Sequence, residues 1–214
     1  MSDASVRLES AFDQGAFARA RGATPQQVLD LERLRLLLAD WNERMNLVGA
    51  ATMDDYWRRH ALDSAQLLAA APDAETWADL GAGAGFPGVV LAILLKGVAG
   101  ARVHLVESMA KKCRFLSEAV AQLDLPAQVH NARAEDLKLK VDVVTARAVA
   151  PLTKLLGYAA PYFARGAVGL FLKGQDAEAE IAEARGAWRV EVAVSPSVSD
   201  ARGRILRIEG LARA

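Results

Sequence analysis

One cysteine, Cys113, among 214 residues leaves no possibility of a disulfide within the chain, which fits a reducing, cytoplasmic compartment. The three histidines (His60, His104, His130) are scattered, so no Cys/His cluster has metal-ligand spacing and no metal is expected. Apolar runs long enough to cross a bilayer are missing, which excludes a membrane-spanning helix. Met1 to Glu9 mixes Asp3, Arg7 and Glu9 and has no apolar stretch, so a secretory leader is not expected there. Low-complexity tracts, internal repeats and a convincing linker are lacking too, against long disorder and against a chain of modules. Net charge is zero, with 26 basic and 26 acidic residues, which removes the simplest electrostatic case for a nucleic-acid partner.

What is present is a folded chain of 52% hydrophobic composition with its charge unevenly spread. Residues 1–75 hold eight Arg and no Lys against twelve acids, whereas residues 76–214 hold 18 bases against 14 acids. A basic face on the second part is therefore permitted, though not required.

Periodicity divides the chain at the same place. In residues 24–45, Val28, Leu31, Leu34, Leu38 and Trp41 recur at helical spacing behind a Thr24-Pro25 start. Residues 52–70 read as a second helix opened by Thr52 with Asp54 and Asp55 in its first turn, and residues 5–20 as an earlier one. Beyond residue 75, strand-like runs at 76–80, 102–106, 127–131, 141–145 and 167–172 alternate with helical segments at 87–96, 109–123, 151–163 and 175–186. Runs at 187–195 and 203–209 have no helix between them and read as an antiparallel hairpin. The expectation is an α/β fold: a doubly wound, mostly parallel, seven-stranded Rossmann-like sheet with a C-terminal hairpin. The N-terminal helical extension (1–75) packs on the core (76–214) to make one integrated domain.

The most informative stretch is Asp79-Leu80-Gly81-Ala82-Gly83-Ala84-Gly85-Phe86-Pro87-Gly88. Between a strand and a helix, Gly81, Gly83 and Gly85 allow positive φ and a close backbone approach to a ligand, and the helix that follows offers free N–H groups. Dinucleotide loops read G-x-G-x-x-G; here an acid, Asp79, precedes the first glycine by two residues. A carboxylate there repels pyrophosphate and attracts a cation, which favours S-adenosylmethionine over NAD. Glu107 ends the next apolar run, Val103–Val106, where an acid can accept from both ribose hydroxyls. A plain turn and a structural cap remain the bland readings of the glycines and of Asp79.

Ligands of such sheets bind beyond the carboxyl ends of the strands. This points to Asn131–Asp136, Thr145–Ala148 and Leu172–Gly174. Arg133, Glu135, Lys154 and Lys173 read equally well as solvated loop residues. Arg147, a lone cation flanked by Ala146 and Ala148 at the mouth of the sheet, stands out as a ligand contact.

With these motifs assembled, the sequence resembles the bacterial GidB (RsmG) family of ribosomal RNA methyltransferases. The resemblance is carried by Trp41-Asn42 to Asn46-Leu47, Arg59 to Ser64, Asp79 to Gly88, Val106-Glu107-Ser108 with Lys111-Lys112 and Phe115-Leu116. It continues through Asn131 to Glu135, Arg147 to Ala150 and Leu172-Lys173-Gly174. It covers most of the chain in colinear order. It implies methyl transfer from S-adenosylmethionine to N7 of one guanosine in the decoding-site (530) loop of 16S rRNA. The substrate it implies is that rRNA within the small ribosomal subunit or an assembly intermediate, with no obligate protein partner. It also implies cofactor contacts at Gly81, Phe86, Ala134, Glu135 and Arg147. On this reading Arg58, Arg59, His60, Lys111, Lys112 and Lys173 are RNA-side candidates, with Asp63 orienting His60. The bland reading of the Arg58–His60 run is a solvated helix face.

Chemistry agrees with what the sequence lacks. Guanine N7 has a lone pair and no proton, so it attacks in line without a general base. The Asn/Asp-Pro-Pro-aromatic element of exocyclic-amine methylation is replaced after the fourth strand by Thr145–Pro151. Carbon methylation needs a cysteine nucleophile, whereas Cys113 sits in a helical Lys-Lys-Cys-Arg segment better suited to packing. Orientation and electrostatics are left to do the work. A nicotinamide oxidoreductase, a non-catalytic RNA-binding module and a methyltransferase with a small-molecule or protein substrate are the rival readings.

Overall fold

The computed structural model describes residues 12–214; the leader reading of Met1–Glu9 and residues 5–11 of the first expected helix lie outside them. Helix α1 (Gln14–Arg21) starts where the Asp13 carboxylate accepts from Ala16 N. Helix α2 (Pro25–Asn42) starts as its sequence predicts. Thr24 Oγ accepts from Gln27 N, and Gln27 returns a bond by accepting from Thr24 N, with Pro25 in the first turn. It stops short of residue 45 because the Asn42 side chain turns to the loop beyond. Asn42 Oδ1 accepts from Leu47 N and Val48 N, and Nδ2 donates to Val48 O.

The single helix expected over 52–70 is broken into α3 (Ala50–Asp54), a π-helical turn (Trp57–Leu62), α4 (Asp63–Ala65) and α5 (Leu67–Ala70). Gly49, not Thr52, precedes the first piece, and Thr52 Oγ donates back to Gly49 O. In the widened turn, Asp63 N reaches Arg58 O, five residues back. Such bulges are rare and concentrate at functional sites.

Strands β1 (Thr76–Leu80), β2 (Arg102–Glu107), β3 (Ala127–Asn131), β4 (Val143–Arg147) and β5 (Val168–Lys173) run parallel, with α6 (Gly88–Leu94), α7 (Ala110–Leu123), α8 (Leu152–Phe163) and α9 (Ala177–Ala184) between or after them. The hairpin strands β6 (Trp188–Pro196) and β7 (Arg204–Arg213) complete a seven-stranded sheet of order β3-β2-β1-β4-β5-β7-β6, with β7 antiparallel to both neighbours. The expected architecture is therefore found. β4 begins two residues later than its apolar run because Asp142 is held outside the strand, where its carboxylate accepts from Glu75 N, Thr76 N and Thr76 Oγ. The shift makes Arg147 the last strand residue.

Alternation along the strands sends side chains to two cores. Trp77, Val103 and Leu105 join α6, α7 and the N-terminal helices on one face, so Leu31, Leu34 and Leu38 share a core with Val90, Ile93 and Phe115. Ala78, Leu80, Val106 and Phe171 join α8, α9 and the hairpin on the other. Strand order reverses between β1 and β4, the switch point of doubly wound sheets. The loops that leave these two neighbours open a crevice between them.

Candidate functional site

The crevice is a cavity of about 710 Å³. Its floor is the glycine loop, Gly81 to Phe86; one wall is the loop after β4, Ala148 to Pro151. The opposite walls come from Leu47 to Thr52, from the π-turn through Arg59, His60 and Asp63, and from the β6–β7 turn through Ser197, Asp200 and Gly203.

Gly81, Gly83 and Gly85 have φ of 67°, 52° and 88°, as the loop chemistry requires. A Cβ on Gly81 would stand 2.7 Å from Val149 Cγ2, so the loops after β1 and β4 fit only without a side chain there. Glu107 fastens the loop from the neighbouring strand. Its Oε2 accepts from Gly83 N at 3.1 Å and its Oε1 from Met109 N at 2.8 Å. Both carboxylate oxygens, expected to face ribose hydroxyls, thus already hold backbone donors, each with a lone pair to spare.

Asp79 stands elsewhere than its motif suggests. It shares the face of Trp77 and points beneath the loop into the start of α6, fully buried. Its Oδ2 accepts from Gly88 N at 2.8 Å, while Oδ1 has no partner. A Cβ on Gly88 would come within 2.7 Å of that Oδ2 and 2.4 Å of Leu105 Cδ2, so the close approach needs glycine. Burial pushes the Asp79 carboxyl up to about 7. The residue is a buttress of the loop, not a charge on the open cavity wall.

Arg147 is the hub. It leaves the end of β4 and stands 5.0 Å from the Phe86 ring centroid. Its Nη1 donates to Arg59 O at 2.7 Å and Asp63 Oδ2 at 3.1 Å, and its Nη2 to His60 Nδ1 at 2.9 Å. The His60 ring stacks on Phe86, with centroids 4.4 Å apart and planes 11° off parallel. Burial first, then the Arg147 charge, lowers His60 to about 3, so the imidazole is neutral. With Nδ1 accepting, the proton sits on Nε2, which is buried without a partner. Asp63, expected to orient His60, pairs with Arg147 instead, because His60 turns its Nδ1 to the same guanidinium.

The other predicted residues separate. Ala134 and Glu135 occupy a short turn after β3, where Tyr162 Oη donates to Ala134 O at 3.1 Å, and they do not line the cavity. Lys112 lines the cavity beside Gly83, and Lys111 is exposed and outside its lining. Arg59 lines it too, paired with Asp200 at 2.5 Å. Arg58 turns away to lie over Phe12, 5.4 Å from the ring centroid. Lys173, read as an RNA candidate, lines the cavity and also serves as a brace. Its Nζ donates to Ala150 O at 2.8 Å and Glu180 Oε2 at 2.6 Å, and that same oxygen accepts from Leu152 N. The pair pins the loop in which Ala148 adopts a left-handed φ of 54°, a strained conformation held by its surroundings.

Cys113 is buried and its Sγ donates to Glu107 O at 3.2 Å; burial raises the thiol, so it is no thiolate. Sequence reasoning missed Gln66, Ser197, Ser199, Asp200 and Arg204, since a serine-rich turn carries no local signal of a distant partner. The Leu47-to-Thr52 wall had a trace of one, in the Trp41-Asn42 to Asn46-Leu47 text that leads into it.

Comparison with known proteins places these features in a family. The family model for GidB, rRNA small subunit methyltransferase G, matches residues 27–207. Curated relatives named ribosomal RNA small subunit methyltransferase G include one from Caulobacter vibrioides (strain NA1000 / CB15N), 63% identical over 99% of this chain and 98% of its own. Another, from Methylorubrum populi, is 47% identical over 87% of this chain and 89% of its own. Among solved structures, an O-methyltransferase from Bacillus cereus in complex with SAH shares the fold at a TM-score of 0.59, with 14% identity, 92% of this chain and 96% of that one covered.

Proposed function

The chain belongs to the family of rRNA small subunit methyltransferase G, and from that premise we propose that it moves a methyl group from S-adenosylmethionine to N7 of one guanosine in the decoding-site loop of 16S rRNA. The observation that carries the reading is the placement of the family's motifs around one cavity: the glycine loop after β1 and Arg147 after β4 meet at the switch point of the sheet.

The cavity suits the cofactor. Its volume lies within the roughly 300–1,000 Å³ usual for small-molecule sites. A Cβ on Gly83 would meet nothing closer than 3.5 Å, so the loop is open to a ligand there, while Gly81 and Gly85 let it pack against Val149 and Val89; Glu107 keeps acceptor capacity at the β2 end. Of the residues assigned to the cofactor, Gly81, Gly83, Phe86 and Arg147 line this cavity, whereas Gly85, Glu107, Ala134 and Glu135 stand outside its lining and are assigned by the sequence motifs alone. S-adenosylmethionine supplies an electrophilic methyl on a sulfonium.

Choice of acceptor follows from what the side chains of the cavity are free to do. His60 is neutral with Nδ1 committed to Arg147, and Asp63 is paired with that same arginine. Asp79 is buried under the loop, Glu107 is engaged by backbone N–H groups, and Cys113 is a buried thiol. A site with its bases so committed suits an acceptor that has no proton to lose, and guanine N7 is one. Lys112 and Arg204, which line the cavity, supply positive charge for phosphates, while the charge of Arg59 is offset by Asp200. Orientation of the base against the cofactor then provides the rate.

Methyl transfer from labelled S-adenosylmethionine tests the reading. Small subunits, free 16S rRNA and assembly intermediates from cells lacking the enzyme serve as acceptors, followed by nuclease digestion and mass spectrometry. One N7-methylguanosine in the decoding-site loop is the expected product. Label on an exocyclic amine or on carbon, or on no RNA despite bound cofactor, would overturn it.

A further inference from the structure

Asp63 uses only one oxygen on Arg147. Its other oxygen, Oδ1, accepts from Ser199 Oγ at 2.5 Å and from Gln66 Nε2 at 3.0 Å. Ser199 lies in the β6–β7 turn, 136 residues along the chain, and is buried, as is Gln66. The turn is itself tied down: Gln66 Oε1 accepts from Val198 N at 2.9 Å, and Gln66 Nε2 donates to Ser197 Oγ at 3.0 Å. Ser197 Oγ lies 2.8 Å from Ser199 Oγ. Because a carboxylate only accepts, Ser199 must donate to Asp63, and Ser197 must then donate to Ser199. The donations therefore converge on Asp63, from Ser197 through Ser199 on the turn side and from the Arg147 guanidinium at the end of β4 on the other.

We propose that Ser199 and Gln66 are positioning residues for the cofactor site, holding the Asp63 carboxylate so that it fixes the Arg147 guanidinium in the cavity. A carboxylate gripped by one oxygen can swing about its Cβ–Cγ bond; gripped at both, it presents Oδ2 in one place. A fully satisfied buried network gives that single geometry, and a partly satisfied one loses it. The hairpin turn, which also walls the cavity through Ser197 and Gly203, thereby couples the last strands of the sheet to the first site residues. The inference rests on the reading that Arg147 holds S-adenosylmethionine.

The experiment is a double-mutant cycle on cofactor affinity, measured by calorimetry without RNA, with thermal stability recorded in parallel. Ser199→Ala weakens S-adenosylmethionine binding about tenfold, as loss of a hydrogen bond to a charged group allows. Ser199→Thr, which keeps the hydroxyl, restores it. Combined with Asp63→Asn, Ser199→Ala adds nothing further, since it acts only through that carboxylate. A merely structural turn would instead give losses that add, or a fall in stability with affinity unchanged, and either result overturns the proposal. Should Ser199→Ala not fold, Gln66→Met carries the same cycle. A wild-type protein that fails to bind S-adenosylmethionine sinks the functional reading and this inference together. Wild-type binding with additive losses sinks the inference alone.

Discussion

Replacing Asp79 by asparagine separates its charge from its hydrogen bond. In the folded protein the carboxyl is raised from 3.8 to about 7, chiefly by burial, although the Gly88 N–H and Arg147 oppose the rise. A raised folded value means that the unfolded chain ionises first. The group therefore contributes stability that is fully present below 3.8 and is lost as pH rises to about 7. At about 1.4 kcal/mol per pH unit, the loss between about pH 4.5 and pH 8 is on the order of 3 kcal/mol. In Asp79→Asn the side-chain carbonyl can still accept from Gly88 N, but the amide nitrogen falls where Oδ1 now lacks a partner, a cost of about 1–3 kcal/mol at every pH. Urea unfolding of both proteins across this range yields the difference in stability directly. Wild type is expected to be the more stable at acid pH, and the gap to narrow by about 3 kcal/mol toward pH 8, closing or reversing. A difference that stays constant across the range would show that Asp79 titrates as an ordinary exposed carboxylate, and the buttress argument would fail.

Gly81→Ala puts a Cβ 2.7 Å from Val149 at a left-handed φ, so it should cost about 1–3 kcal/mol of stability and most of the cofactor affinity; calorimetry showing wild-type affinity would remove Gly81 from the cradle. Arg147→Lys keeps the charge but cannot reproduce the fork over Arg59 O, Asp63 and His60, so cofactor binding should weaken about tenfold or more. Equal affinities for the lysine variant and wild type would mean that only the charge matters. Cys113→Ala removes a buried, undissociated thiol and should leave the methyl-transfer rate within about twofold, at a stability cost of roughly 1 kcal/mol; an inactive but folded variant would restore a nucleophilic mechanism.

Local chemistry makes much of the fold readable. Thr24, Pro25 and Gln27 announce the start of α2 because capping needs only neighbours in the chain. The five parallel strands stand out as apolar runs because both faces of the sheet are covered. The 52–70 segment reads as one helix because its apolar spacing is unbroken; what widens the turn is Arg147, arriving from β4 to take Arg59 O. Lys173 resembles a surface cation for the same reason. Its partners, Ala150 O and Glu180, lie across a loop and a helix, invisible to any window of neighbours.

By itself the sequence determined the order of elements, the glycine loop that must accept a ligand closely, and the family motifs. Each depends on dihedral preference and periodicity over a few residues. The tertiary structure decided which way the charges face. Strand alternation buried Asp79 beneath the loop, while the reversal of strand order brought Arg147 against residues 59 to 63. The hairpin turn then laid Ser199 on Asp63. A carboxylate, an imidazole and a guanidinium acquire roles only from neighbours distant in the chain, since burial and pairing, not residue type, set their charge and direction.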